Sequence, residues 1–568
     1  EDRIFTSEDG TFAGTYVINT QPYGTKVVRV YGSSTAEITT SPFTIHANVT
    51  HVLPSFGMVG SLVTIKGNGY GVNEQVFIVF GTILEPKIAS TWSNYRGEFE
   101  VSYIINTQIY GTTTVNAEGV PSLEKANNYY HIRENITLVS PTMSMVGSLV
   151  TVMGNGYGLG EIIRIDYGKT ISITNTMSNA QGEFITVFTV DTQRYATHTV
   201  TASGSSTKAC FSSYHFIIPK IVVNPTTGML GTIITVCGTG YGSSEAVRLD
   251  FGTSLGILYV YEDETSEEGS WTTYFAIDTQ KCGKTMVEGI GQVYSVPASD
   301  YVWITPNVWV SPASGVVGTE ITVMGAGYAV SETVQIDFGK SINMWTAIPD
   351  ESGYFAKVFT IDTQGYGTTT LIAAGLSSGL SNLTTVKILG KIREVIPTTG
   401  TIGSYVTVIG DGYQPGEQVW IDFGTTMSIV DPMVEDNGVF TKIFTVDTQV
   451  YGTKTIKSRG ISSGEMGVSR YVLIPNITAV IPTSGTTGIT VTVIGNGYQA
   501  REVIQIFFGT DIESRNPYCA ASDLGTFSTT FVVNVQPAGI TTIRAQGIGS
   551  GRVAVSIFGI SPKIVSVT

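Results

Sequence analysis

Four Asp-aromatic-Gly triplets, beginning at Asp166, Asp250, Asp337 and Asp422, have the composition of a loop that holds magnesium for phosphoryl transfer. That chemistry also needs a glycine-rich loop over the phosphates, a strand lysine and a catalytic loop. The sequence has none of these, so the triplets read as strand ends. The run Gly67-Asn-Gly-Tyr-Gly71 and its copies carry the glycines of a dinucleotide loop, but the third glycine is misplaced. A strand rather than a helix follows it, which leaves no helix N terminus for a phosphate. A third recurring element is an Asx-Thr-Gln turn starting at Asn19, Asn106, Asp191, Asp278, Asp362, Asp447 and Asn534. Exchanging Asp for Asn keeps the oxygen that caps a turn and discards the charge, so a turn role is expected rather than metal binding or acid-base work.

Features found in single copies carry the remaining chemistry. Glu262, Asp263, Glu264, Glu267 and Glu268 form an acidic loop able to gather the oxygens that calcium prefers, but without the Asp-x-Asp-x-Asp-Gly order, and a solvated loop is expected. His46, His51, His131, His198 and His215 show no ligand spacing and flank no Ser or Cys nucleophile motif; they read as surface or joint residues. Asn48, Asn135, Asn382 and Asn476 occupy Asn-x-Thr sequons, which permit glycan attachment. Three of them fall where Lys220, Asn307 and Lys391 stand in other copies. Cys210, Cys237, Cys282 and Cys519 are too few and too irregular for a zinc site or a disulfide framework. Cys237 and Cys282 fall within one copy and leave a single bridge open, against the alternative of free thiols.

These residues hang on a repeat. A sentence opening Pro-x-x-Gly-x-x-Gly, continuing Val-Thr-Val-x-Gly-x-Gly-Tyr and closing Asp-Thr-Gln-x-Tyr-Gly-Thr recurs from Pro54, Pro141, Pro225, Pro312, Pro397 and Pro482, in steps of 87, 84, 87, 85 and 85 residues. The units run 47–133, 134–218, 219–305, 306–390, 391–474 and 475–561. In the second unit Ser148 to Met153, Glu161 to Asp166, Gly182 to Val190, Thr197 to Ala202 and Tyr214 to Ile218 alternate apolar and polar residues, the period of half-buried strands. Helical periodicity is absent throughout. About seven short strands with a turn every 8–12 residues predict an all-β, immunoglobulin-like sandwich. The Tyr closing the Gly-x-Gly turn is expected to lie on the sandwich edge with its hydroxyl wet. The later Tyr110, Tyr195, Tyr366 and Tyr451 are candidates for the tyrosine corner of such folds, although Cys282 and Ala538 replace them in units three and six.

Residues 1–46 match only the back half of a unit, and 562–568 resembles a first strand. A segment of a longer array is the expectation, with strand exchange between copies as the alternative. Joints such as Phe216-Ile-Ile-Pro-Lys-Ile-Val are short and apolar, which predicts packed rather than swivelling units and a semi-rigid rod.

Bulk composition fits such an array. Of 568 residues 42% are hydrophobic, 13% are charged and 65 are glycine, as in a β-protein with many tight turns. The balance of 31 basic against 45 acidic residues, with no basic stripe, argues against nucleic acid as a partner. No apolar run approaches the ~20 residues of a membrane-spanning helix, so no membrane insertion is expected.

The run Pro225-Thr-Thr-Gly-Met-Leu-Gly-Thr-Ile-Ile-Thr-Val-Cys-Gly-Thr-Gly-Tyr241, with Pro312 to Tyr328 and Pro397 to Tyr413, resembles the opening of IPT/TIG-type immunoglobulin-like repeats. It departs in having Tyr for the usual Phe after the double-Gly turn, and Ser144 for the first Gly of unit two. The Asp-Thr-Gln-x-Tyr-Gly-Thr half is similar to tandem repeats of prokaryotic surface-layer and other cell-envelope proteins. The resemblance implies an extracellular, architectural protein, not an enzyme, that associates with copies of itself in a layer or filament and needs no cofactor, calcium being the one candidate. An adhesin or carbohydrate-binding stalk, with glycans as partners, is the alternative it leaves open.

Overall fold

A computed structural model describes residues 3–81, 89–510 and 517–564. The chain falls into two compact bodies. The first holds residues 1–226, 233–275 and 286–302, and the second residues 227–232, 276–285 and 303–568. Apart from a short 3-10 turn at Glu262–Glu264, every regular element among the described residues is a strand. No helix there is long and apolar enough to cross a membrane.

The first body opens with a hairpin of β1 (Gly24–Tyr31) and β2 (Ile38–Ile45), a two-stranded sheet of its own. Repeat one follows with β3 (Asn48–Leu53), β4 (Phe56–Met58), β5 (Leu62–Asn68), β6 (Gln75–Phe80), β7 (Ala89–Trp92), β8 (Phe99–Ile104), β9 (Gly111–Val120) and β10 (Lys125–Arg133). Two sheets form, β3-β5-β8 and β4-β10-β9-β6-β7, antiparallel except for the parallel pair β4 and β10. Alternation decides which face is core. In β5 the inward Val63 and Ile65 are fully buried while Leu62 is exposed, and in β6 Val76, Ile78 and Phe80 are fully buried. Each such side chain contributes about 1.5–3 kcal/mol by leaving water, so a shift of one residue in register would turn the whole set outward.

Repeat two has the same sheets and orders, built on Asn135–Ser140, Leu149–Asn155, Ile162–Tyr167, Thr170–Met177, Phe184–Thr189, Thr197–Gly204 and Cys210–Ile217. Three strands of this repeat are not among the alternating stretches: the first strand Asn135–Ser140, the two-residue strand Met143–Ser144 and the edge strand Thr170–Met177. In the second body, repeats four, five and six repeat the arrangement. The chain is therefore an all-β array of immunoglobulin-like sandwiches. The six opening prolines each follow a cis peptide bond.

In the N-terminal hairpin, Val28, Val30, Phe43 and Ile45 stand where Val115, Ala117, Tyr130 and Ile132 stand in repeat one. The latter four are fully buried, whereas Phe43 is 40% exposed. Residues 11–18, the counterpart of β8, form no strand, since no strand is paired with them as β5 is paired with β8. Of the segment 562–568, residues 565–568 lie outside the described residues, and 561–564 carry no strand.

Candidate functional site

Two separate sequence signatures meet at every joint. The main-chain N–H of the residue after Asx-Thr-Gln-x donates to the carbonyl of the Gly-x-Gly-Tyr tyrosine of the next repeat. The pairs are Tyr23 to Tyr70, Tyr110 to Tyr157, Tyr195 to Tyr241, Cys282 to Tyr328, Tyr366 to Tyr413 and Tyr451 to Tyr498, at 2.8, 2.9, 2.8, 3.2, 3.0 and 2.9 Å. The late tyrosines are thus joint residues, not tyrosine corners. Tyr195 packs its ring at a tilt of 39° against Tyr294 of repeat three, 4.7 Å between centroids, and Tyr110 packs on the core of repeat two. Because the contact uses a main-chain group, Cys282 serves in place of Tyr.

The Gly-x-Gly-Tyr ring also differs from its expected place. Tyr70, Tyr157, Tyr241, Tyr328, Tyr413 and Tyr498 are all fully buried or nearly so. Their hydroxyls are not wet: Tyr70 donates to Ala117 O at 3.2 Å, Tyr157 to Ala202 O at 3.1 Å, Tyr241 to Gly289 O at 3.0 Å, Tyr328 to Ala373 O at 3.1 Å and Tyr498 to Ala545 O at 2.8 Å. Burial pushes each phenol well above its usual range, Tyr413 up to about 12. A buried hydroxyl without a partner would cost more than the bond gains, which is why the ring ends at a strand carbonyl.

Four residues beyond each of these tyrosines lies a glutamate: Glu74, Glu161, Glu245, Glu332, Glu417 and Glu502, each 6% exposed or less. The fixed Tyr-x-x-x-Glu spacing is visible in the sequence and is the signal for this cluster. Glu161 accepts N–H bonds from Gly158, Ser206 and Thr207 at 2.6, 3.1 and 3.0 Å and hydroxyl bonds from Ser206 and Thr207, both 2.8 Å. Burial raises its carboxyl, but the N–H bonds from Thr207 and Gly158 and the two hydroxyls outweigh that, leaving it below the usual range; Glu332 behaves likewise with Ala329, Ser377 and Ser378. Each glutamate is a staple between two loops, bonded to its own turn and to a second loop.

The Asp-aromatic-Gly aspartates lock hairpins. Asp166, Asp250, Asp337 and Asp422 accept the N–H of Ser172, Gly256, Asn343 and Ser428 at 2.7, 2.6, 2.7 and 2.7 Å. Those donors sit at φ of +58°, +61°, +57° and +50°, the left-handed region that a short polar side chain or Gly tolerates.

Repeat two departs from the others at three places that converge. His215 lies in its core, 1% exposed, with Nε2 3.0 Å from Ser144 Oγ and Nδ1 2.8 Å from Tyr167 Oη. The sequence reading of the histidines as surface or joint residues fails here. Ser144 stands where other repeats have Gly, Tyr167 where they have Phe, and His215 where they have Tyr, Val or Phe. Three coupled departures are the signal that motif spacing missed. Burial holds the His215 imidazole below its ordinary range, and the neighbouring His198 adds to this. With both ring nitrogens bonded to hydroxyls, the cluster is a satisfied polar trio in an apolar core.

The acidic loop of repeat three does not converge on a point. Glu262–Glu264 forms the 3-10 turn, and Glu264 accepts the N–H of Tyr261 at 2.9 Å. Among the described residues no group of three His, Cys, Asp or Glu is arranged to hold a metal ion. Glu267 and Glu268 instead line a cleft of about 340 Å³ shared with Lys169, Arg194 and His198 of repeat two.

Cys237 and Cys282 are not bridged. All four thiols are free, with Cys210 and Cys237 exposed and Cys282 and Cys519 half-buried. Cys237 points outward from the three-stranded sheet beside Thr272, and burial raises the Cys282 thiol. Of the sequon residues, Asn48 is exposed opposite Asn68, while Asn135 and Asn476 are half-buried opposite Asn155 and Asn496. The Asn382 side-chain amide donates to Pro306 O at 2.7 Å, a bond that glycan attachment would have to release.

No family model matches the chain, and no curated protein matches it. Solved structures do. Invasin, a bacterial integrin-binding protein, aligns over 77% of this chain and 81% of its own at 12% identity and TM-score 0.25. The four-domain ectodomain fragment of ICAM-5 aligns over 61% of this chain and 100% of its own at 13% identity and TM-score 0.18. Salmonella alpha-2-macroglobulin covers 96% of this chain at 10% identity and TM-score 0.15, and the chain spans about half, 47%, of that protein's length. Scores this small carry no function across; by its own sheet order, this chain is a tandem array of immunoglobulin-like β-sandwich repeats.

Proposed function

We propose that the chain is a structural subunit of an extracellular surface assembly, a layer or filament, that associates with further copies of itself through the free edges of its five-stranded sheets. The observation that carries this reading is the edge strand of repeats two to five. Immediately after its first residue stand Ile171, Leu255, Ile342 and Met427, 72, 76, 72 and 78% exposed. Six residues further on stand Met177, Tyr261, Ile348 and Met433, 64, 66, 70 and 61% exposed. An unpaired strand edge accepts a further strand, and proteins that stay single blunt such edges with charge rather than with large apolar side chains. A pair repeated once per unit favours a partner of the same period, which is another copy of the chain. The resemblance to IPT/TIG-type and surface-layer repeats supports the same reading, as do joints closed by direct bonds. It works by geometry, with no cofactor and no turnover of a substrate.

A second reading, an adhesin or glycan-binding stalk, is favoured by the cleft where Lys169, Arg194 and His198 of repeat two and Glu267 and Glu268 of repeat three come together. Negative-stain imaging of native material separates the two. Ordered sheets or fibres support self-assembly, and isolated particles that bind glycans support the stalk. Purified chain that stays monomeric at high concentration and forms no ordered array would sink the first reading.

A further inference from the structure

The Asx-Thr-Gln turn does more in some repeats than cap itself. In repeat five the Thr426 hydroxyl donates to Asp447 Oδ2, while Asp447 Oδ1 accepts Gln449 Nε2 at 2.8 Å. The same Nε2 is 3.5 Å from Thr426 Oγ1, and the carbonyl carbon Cδ lies one C–N bond, about 1.3 Å, from it. Gln449 Oε1 accepts the main-chain N–H of Thr425 at 3.2 Å. One carboxylate thus bridges a hydroxyl and the nitrogen of a carboxamide whose carbonyl oxygen faces an N–H donor.

Repeats two and four hold the same carboxylate bridge, repeat two with the N–H donor on the carboxamide oxygen and repeat four with the contact between amide and hydroxyl. Thr170 donates to Asp191 Oδ2, Gln193 Nε2 to Asp191 Oδ1 at 2.7 Å, and Lys169 N to Gln193 Oε1 at 3.1 Å. Ser341 donates to Asp362 Oδ2 at 2.7 Å, with Gln364 Nε2 3.1 Å from Asp362 Oδ1 and 3.4 Å from Ser341 Oγ. Gln193, Gln364 and Gln449 are 4, 8 and 5% exposed, so the carboxamide is shielded from competing water. Gly168, Gly339 and Gly424 lie against it, where a Cβ would fall 2.0, 2.7 and 2.0 Å from Oε1.

Hydroxyl and carboxylate also come and go together. Asp191, Asp278, Asp362 and Asp447 are matched in the sequence by Thr170, Ser254, Ser341 and Thr426, two residues after the Asp-aromatic-Gly glycine. Where the turn has Asn106 or Asn534, that position is Ile83 or Asp511, which has no hydroxyl, yet Gln108 and Gln536 remain. A capping role alone is met by Asn or Asp. A base is met only by Asp.

The geometry points to a self-catalysed ester cross-link between Thr426 and Gln449, and between the corresponding residues Thr170 and Gln193 and Ser341 and Gln364. Asp447 Oδ2 takes the hydroxyl proton as Oγ1 attacks Gln449 Cδ, and the carbonyl π pair moves onto Oε1 beside the Thr425 N–H. The intermediate collapses by breaking Cδ–Nε2, the Asp447 carboxyl returns its proton to Nε2, and ammonia leaves. One C–O bond forms, one C–N bond breaks, and the aspartate is unchanged, with no oxidant or co-reactant consumed. Fixed placement of nucleophile and acyl group supplies the effective concentration that an amide, a poor acyl donor, requires. The product ties the edge hairpin covalently to the late turn of the same repeat, beside the joint.

The test is the mass of the purified full-length chain under denaturing conditions, with peptide mapping. The expected result is a deficit of one ammonia per cross-link and a branched peptide joining Thr426 to Gln449. Asp447→Asn should restore one ammonia, and Asn is already the natural residue at this turn in repeats one and six, so folding is expected to survive. Thr426→Val should restore the same mass. A full-length chain of unmodified mass overturns the proposal, as does a deficit that persists unchanged in both variants.

Discussion

The main-chain N–H of Tyr195 and the carbonyl oxygen of Tyr241 form a 2.8 Å hydrogen bond from one repeat to the next. The same bond recurs at all six joints, between a turn that closes one unit and a tyrosine that opens the other. The two signatures that define the repeat are therefore the two halves of a contact. Their persistence needs no ligand to explain it, since a joint made by main-chain groups requires only that both turns keep their shape.

That shape can be broken at Gly182. It sits at φ +75°, and a Cβ there would fall 2.3 Å from Tyr157 O and 3.2 Å from the Ile109 Cα of the preceding repeat. Gly182→Ala is expected to cost about 2–3 kcal/mol, combining a strained backbone with a clash that backbone atoms cannot avoid. Limited proteolysis of the full chain should show new cleavage near residues 107–110 before any other site. Unchanged cleavage would mean that the joint tolerates separation.

Glu161→Ala should destabilise repeat two by on the order of 3 kcal/mol, because Gly158, Ser206 and Thr207 lose the acceptor they share in a buried place. Chemical denaturation of the full chain reads it as an early transition. The pH dependence has a fixed sign. The Glu161 and Glu332 carboxyls lie below the usual value of 4.5, so the folded state binds fewer protons than the unfolded one. Their stabilisation is present above about pH 4.5 and is lost as pH falls through the lowered folded values. Melting temperatures that stay level on acidification through that window would contradict the staple.

His215 predicts a second, milder acid transition confined to repeat two. Its folded imidazole is depressed below 6.5 by burial, so unfolding takes up a proton. Stability should be complete above about pH 6.5 and should fall as pH drops below it. His215→Phe, the residue type at this position in repeat six, should remove that dependence, at the expense of leaving Ser144 and Tyr167 without the ring. Hydrogen exchange of repeat two between pH 7.5 and 5.5 measures it, and equal protection at both ends would refute the assignment.

The repeat, the sandwich and the strand faces were legible because alternation and glycine turns are local. Val63 and Ile65 announce a core face by period alone. Tyr157 was misplaced because a turn tyrosine looks the same on an edge or in a core; only the strand carbonyl of Ala202, 45 residues on, decides between them. The role of Glu161 is hidden for a related reason. Its partners Ser206 and Thr207 are equally distant, and a surface glutamate is the ordinary case. The His215 cluster was hidden because Ser144, Tyr167 and His215 are 71 residues apart from first to last and each is an unremarkable substitution until the sheets bring them together.

The buried hydroxyls offer a comparison within one chain. Tyr157 donates directly to Ala202 O, whereas Tyr413 meets the Ser458 hydroxyl at 2.6 Å, and Ser458 lies 3.4 Å from Gly467 O. Replacing Tyr157 by Phe removes a buried hydrogen bond to the Ala202 carbonyl and should cost about 1–2 kcal/mol. Replacing Tyr413 by Phe leaves a hydroxyl that can rotate onto Gly467 O, so the loss should be the smaller of the two. Urea unfolding of the two single variants, measured on the full chain, checks the order. Should Tyr413→Phe prove the more damaging, the hydroxyl pair would be holding repeat five by more than satisfaction of its own atoms.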